Sequence, residues 1–121
     1  MTETKQTVKY DLEERTFQYA KRVRNFVRKL SKTIGNIEDG KQLIRSSGSV
    51  GANYIEANEA LGKKDFQMRI RISRKEAKES RYWLQLVDVG ENKELEEERN
   101  ALIKESTELM NIFGSILRNS N

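Results

Sequence analysis

At 121 residues and a formal net charge of +4, with 36% hydrophobic and 35% charged residues, the chain is sized for one domain and not two. Leu, Ile, Val and Phe number 29, or 24%, which exceeds the roughly 20% below which a charged chain stays disordered, so a modest core can form. With no Cys and no His there is no disulfide framework, no thiolate site, no imidazole base and no imidazole metal ligand, which argues for a non-enzyme without cofactor or metal.

The absence of Pro and the abundance of Glu, Lys, Arg, Leu and Ala predict long helices. In the first, from about Asp11 to Ser31, Leu12, Thr16, Tyr19, Val23, Phe26 and Leu30 recur at alternating spacings of four and three, one helical stripe. Asp11 with Glu14 has the spacing of a capping box, and residues 1–10 read as a flexible segment before it. Gly35 and the Asn36–Gly40 cluster mark the first connection, after which Leu43, Ser47, Val50, Tyr54, Ala57 and Leu61 repeat the rhythm. Ser46–Gly51 is poor helix sequence that admits a break. Ile44, Gly48, Gly51 and Ile55 nevertheless share one face on which a neighbouring helix can approach closely, and a continuous helix is the favoured expectation.

The third stripe is Phe66, Ile70, Ser73, Ala77, Ser80, Leu84 and Val87, with Asp65 as the expected N-cap and Gly90 near the end. The fourth opens at Asn92 with an acidic first turn, Glu94, Glu96, Glu97 and Glu98, and continues through Leu95, Leu102, Leu109, Phe113 and Ile116. Short connections predict antiparallel neighbours, hence an all-α, up-down-up-down four-helix bundle. Met68, Ile72, Trp83 and Leu86, then Ile103, Met110 and Leu117, and Phe17 and Val27 fall beside the core stripes. Such extra rows either widen the core face or form a contact surface for another chain.

Charge is uneven: residues 1–50 hold 11 basic and 6 acidic side chains, residues 51–86 hold 8 and 5, and residues 87–121 hold 4 and 8. On the third helix Arg71, Arg74, Lys75, Lys78 and Arg81 lie opposite the core stripe, and on the first Lys21, Arg22, Arg24, Arg28 and Lys29 do the same. Such faces suit phosphate contact, with Tyr82 placed to stack on a base. Glu56, Glu59, Glu76 and Glu79 interleave with these bases and can neutralise them, in which case the faces are merely solvated. The same glutamates suggest a carboxylate metal site, but the Glu-x-x-His such bundles use is missing. The expected roles of Asn53, Glu56, Glu76 and Glu79 are therefore pairings between helices with Arg45, Arg69 or Arg81. Ala57–Lys64 is a broken match to a phosphate-binding loop, since Ala57 replaces the first Gly and Lys64 the Ser/Thr, and no serine has Lys three residues on. The first 25 residues carry charges throughout and no stretch is apolar over 18 residues, so no signal peptide and no membrane span are expected, and a cytoplasmic protein is the default.

Three stretches carry a family resemblance: Gln42–Asn58, Lys63–Phe66 and Lys75–Leu84. Arg45, Ser46, Ser49, Ala52, Asn53, Glu56 and Ala57, then Asp65 and Phe66, then Lys75, Glu76, Glu79, Tyr82, Trp83 and Leu84 occupy the spacing R-S-x-x-S-x-x-A-N-x-x-E-A, K-D-F and K-E-A-x-E-x-x-Y-W-L. This resembles the four-helix-bundle proteins encoded in intervening sequences of bacterial 23S ribosomal RNA genes, over roughly residues 10 to 118. Met68–Ser73 departs from it by being more basic. The resemblance implies a homopentameric ring, a continuous second helix, and a structural or assembly role for the signature residues. The family is in turn similar to the accessory protein of diversity-generating retroelements, which implies nucleic acid or a reverse transcriptase as partner. Two expectations follow: a non-catalytic basic oligomer binding structured RNA or DNA through the first and third helices, or a scaffold docking a protein partner.

Overall fold

The computed structural model describes the backbone of residues 2–120 and the side chains of residues 11–120; the expected flexible segment, residues 1–10, lies outside the residues whose side chains are described. Among the described residues the chain is all-α: α1 (Thr2–Lys29), α2 (Ile34–Asn58), α3 (Lys63–Leu86) and α4 (Lys93–Asn119), with no strand. Cross-helix pairings set the directions. Gly51 lies against Thr16 and Gly40 against Val27; Arg45 reaches Glu76 while Asn53 meets Arg69. Arg81 meets Thr107 while Gln67 meets Ser120, and Arg15 meets Glu105 while Lys29 meets Glu98. In each pair one residue number rises as the other falls, so every adjacent pair is antiparallel. Helices touch around the perimeter, α2–α3 most extensively and α1–α4 least, which leaves α1 and α3 at opposite corners.

The core is the set of stripes read from the sequence. Leu12, Tyr19, Val23, Phe26 and Leu30 meet Leu43, Val50, Tyr54 and Ala57, then Ile70, Ala77, Leu84 and Val87, then Leu95, Leu102, Leu109 and Phe113, all buried. All four helices also bury hydroxyl-bearing residues: Thr16 and Tyr19, Ser46 and Ser47, Ser73 and Ser80, and Ser106. Ser106 hydrogen-bonds the Leu102 carbonyl and the Tyr19 hydroxyl; Ser80 Oγ lies 2.8 Å from Ser46 Oγ and 2.8 Å from the Glu76 carbonyl oxygen. Ser46, Ser80 and Ser106 each keep a carbonyl partner on their own helix, so what a slip of one helix breaks is the cross-helix pairs, Ser80 with Ser46 and Tyr19 with Ser106.

Several local expectations are corrected. Leu61 is not a core residue: α2 stops at Asn58, and Leu61 stands fully exposed in the connection of residues 59–62. Phe66 and Ile116, expected in the stripes, are only partly buried. Asp11 caps nothing, because no Gly or Pro before Gly35 interrupts the helix and α1 runs back to Thr2. Asp65 is the third residue of α3, not its N-cap. That position belongs to Gly62, whose carbonyl accepts the Phe66 N–H at 3.0 Å, while the Asp65 charge complements the dipole of the first turn. Gly35 and Asn36–Gly40 are the first turns of α2 rather than a connection. Thr33 caps them through its Oγ1 on the Asn36 N–H. The buried Asn36 amide donates to the carbonyls of Ser31 and Asp88 and accepts from the Asp88 N–H, which ties the first connection to the third.

α4 opens at Asn92 as expected, and Asn92 caps it, its side chain accepting the Leu95 N–H; Gly90 adopts a φ of 64° in the turn before it, a conformation glycine enters without penalty. The second helix is continuous through Ser46–Gly51. The extra apolar rows divide: Val27, Trp83, Ile103, Met110 and Leu117 pack partly buried against the core, while Phe17, Met68 and Leu86 stay exposed.

Candidate nucleic-acid interface

The ten cations expected on the outer faces of the first and third helices lie on two separate sides of the molecule. Because α1 and α3 stand at opposite corners, their outward faces point away from one another in a single chain. On α1, Lys29 is held by Glu98 at 3.2 Å, Lys21 Nζ sits 5.5 Å from the centre of the Phe17 ring, and Arg24 donates to the Ala20 carbonyl and lies over Gly48. Lys21 and Arg24 line a hollow of about 450 Å³ between α1 and α2 together with Glu13, Phe17, Ala20, Ala52 and Ile55, with the buried Thr16 and Gly51 among its lining. Arg28 rims a second, of about 420 Å³, with Val27, Ile37 and Ile44. Arg22 is exposed. This side of the molecule is an apolar trough with a basic edge.

The α3 side is different in kind. Arg71, Arg74, Lys75 and Lys78 are exposed, make no ion pair among the described residues, and line a groove of about 400 Å³ with Met110 and Leu117 of α4. Residues spaced by three and four project from one face of a helix, which gathers these cations along two turns. Gly114 makes room beneath them. A Cβ there would lie 3.4 Å from Arg118 Nη1 and 3.7 Å from Arg74 Nε, so two guanidiniums converge over one glycine. Arg81, the fifth expected contact, is partly buried and donates to Thr107 at 3.1 Å, which makes it a strut between α3 and α4.

Two of the four glutamates expected to interleave with these bases, Glu76 and Glu79, are held elsewhere. Arg45 of α2 donates to Glu76 at 3.2 Å and to Glu79 at 2.9 Å, so both carboxylates lean toward α2 and away from the groove. Burial pushes the Glu76 carboxyl above the usual carboxylate range, and its hydrogen bond with Glu79 adds to this. Glu79 is also partly desolvated, but its hydrogen bonds with Glu76 and Arg45 outweigh that effect and hold it below the usual range. Asn53 accepts from Arg69 at 3.1 Å and donates to the Ser49 carbonyl. Trp83 meets Tyr82 edge-on, ring centres 5.1 Å apart, and Leu84 is buried. Glu56 departs from expectation: it is exposed and makes no ion pair among the described residues.

Sequence reasoning missed Arg118 and Gly114. The signal was present, since Thr107, Met110, Gly114 and Leu117 form a three-four-three stripe on α4 that faces α3. No group of three or more Asp or Glu among the described residues is arranged to hold a metal ion, and no described helix is long and apolar enough to cross a membrane.

Residues 9–115 match the family model described as 23S rRNA-intervening sequence protein. The chain is also similar to a protein of unknown function from the S23 ribosomal protein family of Bacteroides thetaiotaomicron, known from its crystal structure. Identity is 31%, with 87% of this chain and 96% of that one covered, at a TM-score of 0.75. No curated protein matches.

Proposed function

The chain belongs to the 23S rRNA-intervening sequence protein family, and from that premise we propose that it is a non-catalytic cytoplasmic protein that assembles as a homopentameric ring and binds structured RNA or DNA. The observation that carries the reading is the α3–α4 groove, where four exposed cations stand without a carboxylate partner among the described residues. Unpaired like charges on one face repel one another, and that repulsion is relieved when a polyanion neutralises them and releases its counterions. Five chains of +4 make a particle of about +20, enough to attract nucleic acid over long range before contact. The α1 cations have a different role in this reading: they edge an apolar trough, and an apolar floor is matched by a protein surface. A second copy offering the acidic start of its α4, Glu94, Glu96 and Glu97, complements that edge.

The same trough favours the second reading, a scaffold docking a protein such as a reverse transcriptase. Titration of the purified protein with fluorescent structured RNA and duplex DNA across a salt series separates the two, with light scattering on the same sample. Under the first reading affinity falls linearly in log salt, and Arg71→Ala, Arg74→Ala, Lys78→Ala lowers the slope by about three while the oligomer stays intact. Unchanged affinity in that variant removes the groove from the mechanism. Absence of binding at about 50 mM salt by an intact ring overturns the nucleic-acid reading and leaves the scaffold.

A further inference from the structure

Resting on the reading of the α3–α4 groove as a nucleic-acid contact, we infer that what it takes is an unpaired single-stranded segment, with bases as well as phosphates bound. The cations are only part of the surface. Arg71, Lys75, Lys78 and Tyr82 recur at spacings of four, three and four, one stripe along about 16 Å of helix at 1.5 Å per residue. Tyr82 is 57% exposed, with its ring open to solvent. The Trp83 ring meets it edge-on at 75°, ring centres 5.1 Å apart. On the other side of the cations Met110 and Leu117 supply an apolar wall, and Gly114 keeps it low.

A duplex turns its sugars and phosphates outward and keeps its base faces stacked inside. Against it the four cations would be satisfied, but the Tyr82 ring and the Met110–Leu117 wall would meet only polar backbone. An unpaired strand matches all three features, its phosphates on Arg71, Arg74, Lys75 and Lys78, one base on the Tyr82 face and a neighbour against the apolar wall. Aromatic surface beside a cationic track is the arrangement by which proteins hold single strands without reading sequence. In a structured RNA the segment that offers this is a loop or a bulge.

The test compares a fluorescein-labelled 12-nucleotide single-stranded RNA with an RNA duplex of the same length, at one salt concentration and then across a salt series. The single strand is expected to bind at least tenfold more tightly. Tyr82→Ala should weaken it about five- to tenfold, the lower part of what stacking one base on an aromatic contributes, with the salt slope unchanged because no phosphate contact is lost. Tyr82→Phe should bind as the parent does, since the face and not the hydroxyl is used. Tyr82 is exposed, so the circular dichroism of Tyr82→Ala should match that of the parent. Equal or tighter duplex binding, or an unchanged affinity in Tyr82→Ala, overturns this inference and leaves the phosphate contact standing. Failure of both nucleic acids to bind overturns the underlying reading as well.

Discussion

Gly48 and Gly51 lie three residues apart on one helix, and the same substitution is expected to differ in effect between the two positions. At Gly51 a Cβ would sit 2.8 Å from Thr16 Oγ1 and 3.2 Å from Thr16 Cβ, with the Thr16 backbone carbon at 3.7 Å. Nothing there yields easily. Thr16 is buried, and its hydroxyl lies 2.9 Å from the Leu12 carbonyl oxygen and 3.0 Å from that of Glu13. At Gly48 the nearest atom is the Arg24 Nη2 at 3.4 Å, the far end of a flexible side chain that can move aside.

Ala exceeds Gly by about 1 kcal/mol in helix propensity at either site, so that contribution cancels between the two variants. What remains is the overpacking of Gly51→Ala against α1, about 1–3 kcal/mol. Gly48→Ala should therefore stabilise by up to about 1 kcal/mol, and Gly51→Ala should fall about 1–3 kcal/mol below it. Urea unfolding followed by far-ultraviolet circular dichroism, at one protein concentration and with matched m values, measures the difference. Adding Thr16→Ala removes the 2.8 Å contact but not the one at 3.2 Å, so part of the loss should return. Equal stability of the two glycine variants, within about 0.5 kcal/mol, would refute the argument that α1 and α2 approach closely because Gly51 lacks a side chain.

Glu79→Gln should destabilise at neutral pH, and the difference from the parent should shrink as pH falls below the ordinary carboxylate range of about 4.3. A carboxyl held low contributes stability above its unfolded pKa and loses it as pH drops through the folded one. Glu76→Gln should show the reverse trend. The raised Glu76 carboxyl takes up its proton more readily in the folded state, so the parent gains on this variant as pH falls toward that range. Unfolding midpoints measured from pH 7 to 3 check both, and parallel curves for the two variants would contradict the opposed shifts. Arg15 grips Glu105 through two bonds of 2.7 and 2.8 Å and reaches Glu108 at 3.0 Å, where α1 and α4 otherwise touch least. Arg15 is more than a third exposed, so a double-mutant cycle of Arg15→Ala and Glu105→Ala should give a coupling of only about 1 kcal/mol, smaller in 1 M salt.

Helix number, order and core faces were legible because a stripe at spacings of three and four needs no tertiary information: a residue is buried if its helix has one apolar face and that face must be covered. Boundaries were less so. Asp11 and Asp65 carry the chemistry of caps, but a cap acts only where a helix ends, and α1 meets nothing that ends it before Leu30. Asn36 looked like a connection residue by type. It lies in the first turn of α2, capped by Thr33, and its amide finds partners at Ser31 and Asp88, the latter 52 positions away, which no local pattern reveals. The basic faces were legible as faces and not as a surface, since whether two helices share a side of the molecule depends on the order in which all four are packed.

The separation of charge on α3 is itself a product of packing. Glu76 and Glu79 alternate with Lys75 and Lys78 in the sequence, and on an isolated helix Glu79 would be free to pair with Lys75 four residues before it. In the folded chain Arg45 offers Glu79 a bond of 2.9 Å and Glu76 one of 3.2 Å from the neighbouring helix. An Arg reaching across from another helix satisfies two carboxylates at once, and its planar fork suits them better than a lysine ammonium does. Each glutamate is thereby drawn to the α2 side, and the bases are left on the outer and α4 sides with no counter-charge among the described residues. The fold sorts a mixed-charge helix into an acidic side bound within the molecule and a cationic side facing out. Arg45, reaching across from α2, holds both carboxylates of that acidic side.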